Sequence, residues 1–324
     1  MEETALVQLH ALARAAAHPA AAAAPCPCPV GVLADRDDGT VVRHGGLVLK
    51  AHAPGSDTAP LRARVAVAAA PSLTDVLLPP LPSPRTALDD RPLTAWPYGT
   101  PVDPEAPDAA PWEEAGRLLA RLHRTPAPPR LPAMRAPVKA ALAVERMLRA
   151  APDHPATATV LRAWRTVPAP AAGAGPLALC HGDFHLGQLV RAPHWRLIDV
   201  DDLGVGDPAW DLARPAAWFA AGLLAPEVWA RFLGAYEAAG GTATGAPSAG
   251  APAAGGPAAG AARGGDPWVR LDVPARALTV QTAALALAKS TAEGRPLDEV
   301  EHVMIDTCAR ISSLRTELPP PASP

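Results

Sequence analysis

Apolar and polar residues follow one another with two different periods along this chain, and the change of period predicts its main elements. Within residues 30–52, short apolar runs are separated by turns at 35–39 and 45–46, which predicts a three-stranded antiparallel meander. Before the meander, leucines recur at helical spacing in an Ala-rich segment, which predicts a helix within residues 4–24. Prolines within 25–29 separate the two segments, because proline ends a helix.

The chain from Pro111 onwards is predicted to be mostly helical, because its apolar residues recur every three or four positions. Its first helix is amphipathic and ends near His123. Residues 240–265 are almost wholly Gly, Ala, Pro, Ser and Thr, which bury too little apolar surface to order themselves, so we predict a disordered insertion there. Further helices are predicted at 58–70, 137–150, 156–166, 208–224, 226–239, 272–290 and 297–317.

Composition excludes several classes of protein. A net charge of −3 over 324 residues argues against a nucleic-acid partner, and the sequence has neither a basic run for a membrane surface nor an apolar run long enough to span one. Cys26 and Cys28 stand too close together for a C-x-x-C pair, and the other two cysteines are isolated, so we expect a reduced setting. Because Glu2 and Glu3 stand where a signal peptide would be basic, we expect a soluble cytoplasmic protein. The sequence gives no basis for an oligomeric state.

The segment 180–212 has the highest density of His, Asp and Gln between short apolar runs. Two of these runs flank a turn at Pro193, which predicts a β-hairpin. Asp183 precedes the first strand, Gln188 lies at its base and Asp199 follows the second strand, so the hairpin should bring the three side chains together. Two carboxylates and an amide oxygen suit Mg²⁺, and a carboxylate free of metal can accept a hydroxyl proton.

The sequence of this segment resembles that of the aminoglycoside phosphotransferase family, a small-molecule branch of the protein-kinase-like fold. The resemblance is carried by HGDFHLGQ at 181–188, by Ile198-Asp199, and by the Gly-Asp-Pro and Asp-Leu-Ala triplets that follow at 206–208 and 211–213. Gln188 stands where that family usually has Asn, and the form HGDxHxGQ is nearer to maltokinase-like and glucosamine-kinase-like enzymes. The resemblance implies an α+β, two-lobed fold, with a small β-rich N-lobe at 1–98 and a larger, mostly helical C-lobe at 99–324.

The resemblance also implies a reaction and the residues that carry it. The γ-phosphoryl group of ATP, or of GTP, would pass to a hydroxyl of an aminoglycoside, a sugar or another polyol. Asp183 would be the catalytic base, while Gln188 and Asp199 would bind Mg²⁺. Lys50 would bind the nucleotide phosphates. The segment joining the lobes would contact the nucleotide base through its backbone and aromatic rings, at Ala95, Trp96 and Tyr98.

Lys50 stands out among the residues themselves, because it ends an apolar strand, where an unpaired charge is costly. The alternative is a lysine that reaches solvent from an edge strand. Two departures from the kinase pattern bear on this site. The loop 34–39 carries three carboxylates where a phosphate-binding loop is normally Gly-rich, and the helix at 58–70 has no acid to pair with Lys50, although Asp75 could substitute. They suggest an alternative function, a degenerate nucleotide-binding relative without turnover.

Three other interpretations of the segment 180–212 remain open at this stage. His181, Asp183 and His185 alternate and could ligate zinc, although the sequence offers no evident Cys or His cluster to complete the shell. Residues 204–209 fit the dinucleotide fingerprint G-x-G-x-x-A, but the segment about twenty residues later has helical spacing instead of a second strand. The acids could also be purely structural, with Asp207 and in part Asp211 as helix caps, and Asp201 and Asp202 as solvated turn residues.

Overall fold

A five-stranded antiparallel sheet forms the N-terminal part of the protein in a computed structural model, which describes residues 1–20, 26–168, 177–245 and 266–313. The predicted meander is confirmed, and two later strands complete the sheet in the order β1-β2-β3-β5-β4. The strands are β1 (Val30–Arg36), β2 (Gly39–His44), β3 (Leu47–His52), β4 (Ala87–Leu88) and β5 (Arg91–Pro97).

The two faces of this sheet have different neighbours because side chains alternate along a strand. Helix α1 (Glu3–Ala17) covers one face, where its Leu9 packs with Val42 and Leu49 in a small hydrophobic core. Val41 pairs with Lys50 across β2 and β3, so both lie on the opposite face, which is turned toward the rest of the protein. The period of two in the sequence therefore places Lys50 away from the α1 core.

The remainder of the protein is mostly helical, as predicted. The helices form where the apolar periodicity predicts them, with ends shifted by a few residues; the largest shift is at α8, which begins four residues early and contains Pro274. Their bounds are α2 (Thr58–Ala68), α3 (Trp112–Arg124), α4 (Ala136–Ala150), α5 (Thr157–Trp164), α6 (Ala209–Ala221), α7 (Pro226–Ala238), α8 (Trp268–Glu293) and α9 (Glu299–Ser313).

The largest hydrophobic core joins α3, α6 and α7 to the segment that follows α2. Phe232 is fully buried at its centre, stacked on Phe184 and edge-on to Trp112. Val67 and Leu77, which precede residue 98, also belong to this core. The segment 67–77 therefore packs with the helical part of the protein, although it lies within the span expected for the N-lobe.

Short strands position the segment 180–212. The predicted hairpin is confirmed, with Leu189 opposite Leu197. Residues 204–206 form a strand antiparallel to 178–180, which is incompatible with the glycine-rich turn of a dinucleotide fingerprint. The strands are β6 (Thr100–Pro101), β7 (Ala178–Cys180), β8 (Leu189–Arg191), β9 (Trp195–Leu197) and β10 (Gly204–Gly206).

The predicted insertion at 240–265 is described only at its start. Residues 240–245 fold against α7, where the Ala243 N–H donates to the Tyr236 hydroxyl at 2.9 Å and Ala243 is fully buried. Residues 246–265 lie outside the described part of the chain. Across the described residues, none of the helices combines the length and apolar character needed to cross a membrane.

Candidate active site

A cavity of about 400 Å³ separates the sheet from the hairpin, at the junction of the two parts of the protein. Lys50 projects into it from β3, and Trp96 and Tyr98 line it from the connecting segment. Gln188 and Asp199 line it from the hairpin side. Its remaining walls are largely apolar and include Leu33, Val41, Val48, Leu78, Val190 and Ile198.

The Lys50 ammonium joins the sheet to the far side of this cavity. Its Nζ lies 2.7 Å from Oδ1 of Asp199 and 2.9 Å from Oδ2 of Asp201. Burial alone would lower the pKa of Lys50, but the two carboxylates outweigh it and raise that pKa, so the side chain stays charged. The interpretation of Lys50 as a solvated edge-strand lysine is therefore wrong.

The base of the hairpin places Gln188 and Asp199 side by side. The Ile198 N–H donates to the Gln188 carbonyl at 2.9 Å, and Nε2 of Gln188 donates to Oδ2 of Asp199 at 3.2 Å. Asp199 has a φ of 62°, a left-handed conformation that is uncommon for residues other than glycine and is found at functional sites. The juxtaposition expected from the hairpin is therefore present for these two residues.

Asp183 lies in a neighbouring depression of about 10 Å³ and not in the cavity wall itself. Its Oδ2 is 2.7 Å from Nζ of Lys139, and its Oδ1 is 3.0 Å from Arg214. Burial would raise the pKa of Asp183, but these two cations lower it well below its usual range, so the group is a carboxylate at neutral pH. Burial lowers the pKa of His185 to about 4, and this residue lines the cavity two positions after Asp183, so the two pockets are neighbours.

Several charged partners in this site were not expected from the sequence. Lys139 also contacts Asp202, at 2.6 Å, and Asp201 accepts from His52 at 3.1 Å. Asp201 and Asp202 are therefore ion-paired residues and not the solvated turn residues that we expected. The sequence marks Lys139 as a candidate site residue in one way only, because it is one of three lysines in the chain.

The backbone before Asp183 is held by a buried carboxylate. Asp211 is fully buried and accepts from the backbone N–H groups of His181 at 2.6 Å and of Gly182 at 2.8 Å. Nε2 of His123 lies 2.9 Å from the same carboxylate, and Nδ1 of His123 lies 2.8 Å from the Tyr236 hydroxyl. Three polar partners thereby satisfy a charge that would otherwise be costly to bury, and the Tyr236 hydroxyl holds one of them, His123, in place.

The zinc interpretation of His181, Asp183 and His185 is wrong because the three side chains diverge. Nε2 of His181 lies 2.8 Å from the Ile198 carbonyl, in the protein interior. Asp183 turns to its two cations, and Nδ1 of His185 accepts from the Gly187 N–H at 3.1 Å. Gly182, with a φ of 82°, makes the turn that separates them, and a Cβ there would meet the Asp202 carbonyl at 2.2 Å.

The connecting segment brings two of its three predicted residues to the cavity. Trp96 and Tyr98 line it, and the Trp96 indole donates to the Thr94 hydroxyl at 3.0 Å. Ala95 does not reach it, because its side chain is buried in the sheet core and its carbonyl accepts from the Leu81 N–H at 2.8 Å. The Tyr98 N–H is donated to the Gly46 carbonyl, also at 2.8 Å.

None of the three carboxylates of the acidic segment 34–39 is among the residues that line the cavity. Ala34 and Arg36 line the cavity, whereas Asp35 accepts from the Thr40 hydroxyl at 2.7 Å and Asp37 lies 3.1 Å from Arg146. The repulsion of phosphates expected from this loop is therefore reduced. Asp75 is exposed and lines a different depression beside Arg121 and Arg124, so it does not substitute as a partner of Lys50.

The family model of the phosphotransferase enzyme family (APH) matches residues 35–252, more than half of the chain and all the charged residues described in this site. The chain belongs to this family. The maltokinase-like form of the catalytic loop has no support beyond the wording of the sequence. No curated protein sequence matches this phosphotransferase-family chain.

Solved structures share the protein-kinase-like fold of this family member. A choline/ethanolamine kinase family protein from Mesorhizobium loti is 19% identical, with a TM-score of 0.54 over 92% of this chain and 94% of that one. A thermostable mutant of the aminoglycoside phosphotransferase APH(4)-Ia is 13% identical, with a TM-score of 0.56 over 89% of this chain and 96% of that one. At these identities the likeness shows the fold alone. The predicted α+β fold, with a small sheet lobe and a helical lobe, is confirmed.

Replacing Asp211 by Asn tests how much this buried carboxylate stabilises the backbone before Asp183. An amide offers only one acceptor oxygen, so we expect the free energy of unfolding to fall by about 1–3 kcal/mol near neutral pH for each group left without a partner. Because the folded state lowers the pKa of Asp211, its contribution is present above the unfolded pKa of about 3.9 and is lost as the pH falls through the folded value.

Urea denaturation of wild type and Asp211→Asn across this pH range measures the difference. We expect the gap between the two proteins to be largest near neutral pH and to shrink in acid. Asp75→Asn, at an exposed carboxylate, is the control and should leave stability within about 0.5 kcal/mol of wild type. A gap of constant size at every pH would contradict the assignment of the network to the Asp211 charge.

Proposed function

We propose that this family member transfers the γ-phosphoryl group of ATP to a hydroxyl of an uncharged sugar or other polyol. The observation that carries the proposal is the convergence of Lys50, Gln188 and Asp199 in one cavity, with the Asp183 carboxylate in the adjoining depression. Phosphoryl transfer needs little covalent chemistry from the protein and depends on positioning and charge neutralisation. Cations and oxygen ligands at such a junction provide both.

The cavity supports the nucleotide part of the proposal. Its apolar walls and the Trp96 ring suit a purine, and Lys50 and Arg36 lie where a phosphate chain would need positive charge. GTP remains an alternative phosphoryl donor. Pro97 has no N–H, and the Tyr98 N–H already donates to the Gly46 carbonyl. Few backbone N–H groups are therefore left to select adenine over guanine. Lys50 would exchange part of its contact with Asp199 and Asp201 for phosphate oxygens.

The residues around Lys50 also fit a magnesium ion. Asp199 and Asp201 offer carboxylate oxygens at the cavity wall, and rotation of the Gln188 amide would present its oxygen in place of its nitrogen. Gln188 and Asp199 would bind the ion, which when bound neutralises charge on the phosphate oxygens. Until then Lys50 and the Gln188 amide compensate the Asp199 charge.

Asp183 would accept a hydrogen bond from the acceptor hydroxyl and orient it toward the phosphate. Because Lys139 and Arg214 lower the pKa of Asp183, it is a weak base, suited to receiving the proton late in the reaction. The depression beside the carboxylate holds only about 10 Å³, so a hydroxyl group needs space that Lys139 or Arg214 must vacate. Binding of the acceptor is therefore coupled to movement of Lys139 or Arg214.

The charges around Asp183 favour an acceptor without positive charge. Three cationic side chains, Arg135, Lys139 and Arg214, face only two carboxylates, Asp183 and Asp202. A polycationic aminoglycoside would meet a surplus of like charge there, whereas the hydroxyls of a sugar or polyol would meet hydrogen-bond donors. We therefore favour a sugar or polyol over an aminoglycoside.

One observation favours a second candidate function, nucleotide binding without turnover. The depression beside Asp183 holds only about 10 Å³, and both oxygens of the carboxylate are occupied by cations. A relative in which this arrangement is permanent would bind a nucleotide in the larger cavity and transfer nothing.

Replacing Asp183 by Asn tests its role in transfer. We expect kcat to fall by about 10²- to 10⁴-fold, because the amide cannot accept the proton, while the KM for ATP changes little. Steady-state kinetics with a turned-over acceptor measures both constants, and Asp75→Asn is the matched control with unchanged kcat. An Asp183→Asn enzyme with the turnover of wild type would show that another group accepts the proton.

A panel of acceptors tests the proposed substrate class. We expect ADP release in the presence of neutral sugars or polyols and none above background with aminoglycosides, because of the surplus cationic charge beside Asp183. The Arg214→Gln enzyme, which has one cation fewer, should relax this preference. Turnover confined to aminoglycosides would contradict the substrate class, and thermal stabilisation by Mg-ATP without turnover on any acceptor would favour the second candidate.

A further inference from the structure

Four side chains of the kinds that bind metals converge near the end of β2, on the face of the sheet that α1 covers. His18 lies just after α1, Cys26 and Cys28 lie in the segment before β1, and His44 ends β2. One nitrogen or sulfur atom from each lies within 4.8 Å of all the others. Among the described residues none of the four takes part in the site around Lys50 and Asp183, so the phosphotransferase function does not account for this cluster.

The ligand atoms lie close to the separations of a tetrahedral zinc site, with two pairs at 3.2 and 3.4 Å and all pairs within 4.8 Å. Sγ of Cys26 lies 3.2 Å from Nε2 of His44, and Sγ of Cys28 lies 3.4 Å from Nε2 of His18. Zn–S bonds of about 2.3 Å and Zn–N bonds of about 2.0–2.1 Å at tetrahedral angles separate ligand atoms by about 3.3–3.8 Å. Small side-chain movements would therefore complete the coordination sphere.

The local backbone favours this convergence. Pro27 restricts the chain between the two cysteines, although their spacing is shorter than the two to four residues common in zinc fingers. Gly45, with a φ of 60°, turns the chain after His44, and its N–H donates to the Pro29 carbonyl at 2.8 Å. Cys28 packs against Gly45, where a Cβ would lie 3.4 Å from Sγ, and the left-handed φ of this turn favours glycine.

The donor chemistry selects the metal. Two thiolates and two imidazoles are the ligands of structural Zn²⁺ sites, whereas Mg²⁺ and Ca²⁺ take oxygen ligands. Four protein ligands leave no position for water or substrate, so the site would be structural. His44 is buried, with 4% of its surface exposed, while the other three are half-buried, so an ion can enter from solvent.

We propose that His18, Cys26, Cys28 and His44 bind one Zn²⁺ ion that ties the end of α1 to the sheet. The ion would link three segments, namely the end of α1, the stretch before β1 and the end of β2, and two thiolates would neutralise its charge. Because α1 covers the face of the sheet opposite Lys50, zinc would stabilise the framework of the nucleotide cavity without touching the nucleotide. The proposal does not depend on the proposed function.

Metal analysis of the full chain tests this site. Protein incubated with zinc and dialysed against metal-free buffer should contain about one zinc ion per chain. Replacement by Co²⁺ should give thiolate-to-cobalt charge-transfer bands together with the visible absorption of a tetrahedral ion. The Cys26→Ser/Cys28→Ser double variant and His44→Ala should lose the ion, whereas Cys308→Ala, which removes a cysteine buried in α9, should retain it.

Three outcomes would overturn the proposal. They are wild-type protein that binds no stoichiometric zinc, a Co²⁺ spectrum without thiolate bands, and a Cys26–Cys28 disulfide found by mass spectrometry in protein purified anaerobically without reductant. Retention of the ion by the double cysteine variant would also contradict it. If the variants fail to fold, the zinc content and Co²⁺ spectrum of the wild-type protein still decide, and removal of zinc should lower the Tm of wild type but not affect ATP binding at low temperature.

Discussion

The contact of Lys50 with Asp199 and Asp201 is the interaction on which the arrangement of this protein depends. It joins the sheet to the hairpin across the cavity, at 2.7 and 2.9 Å, between residues about 150 positions apart in the chain. A buried ammonium without partners would lose its proton or destabilise the fold. The two carboxylates therefore make a charged lysine possible inside an otherwise apolar wall, and the same charges can be exchanged for phosphates and a metal ion.

In the depression beside Asp183 the buried charge is negative and its partners are cations. Asp183 is a buried carboxylate held between Lys139 and Arg214, and the backbone that presents it is held by the fully buried Asp211. Each buried charge is thus compensated by a neighbour from another element, which positions α4, α6 and the hairpin relative to one another. Such pairs add little net stability but penalise any arrangement that separates them.

Most of the fold, and the contact between Gln188 and Asp199, can be predicted from the sequence. The period-two pattern of β2 and β3 predicts the sheet, and the hairpin follows from two apolar runs around Pro193. Local spacing alone brings Gln188 next to Asp199, because a hairpin returns the chain to its starting point. The family likeness then accounts for Lys50, whose partners lie far away along the chain.

The rest depends on contacts that only the tertiary structure makes. Lys139 meets Asp183 through the packing of α4, and no local pattern marks it. The sequence predicts that Ala95 contacts the nucleotide base, but its carbonyl accepts a hydrogen bond from the Leu81 N–H instead. Likewise, only the tertiary structure brings together the cluster of His18, Cys26, Cys28 and His44, since three separate segments supply its atoms.

Isothermal titration calorimetry of ATP, with and without Mg²⁺, tests the central claim most directly. We expect wild type to bind Mg-ATP at one site, Lys50→Ala to bind it at least about tenfold more weakly, equivalent to about 1.4 kcal/mol, and Asp199→Asn to lose the dependence on Mg²⁺. Nucleotide binding that is unchanged in both variants would place the nucleotide elsewhere and contradict the assignment of this cavity.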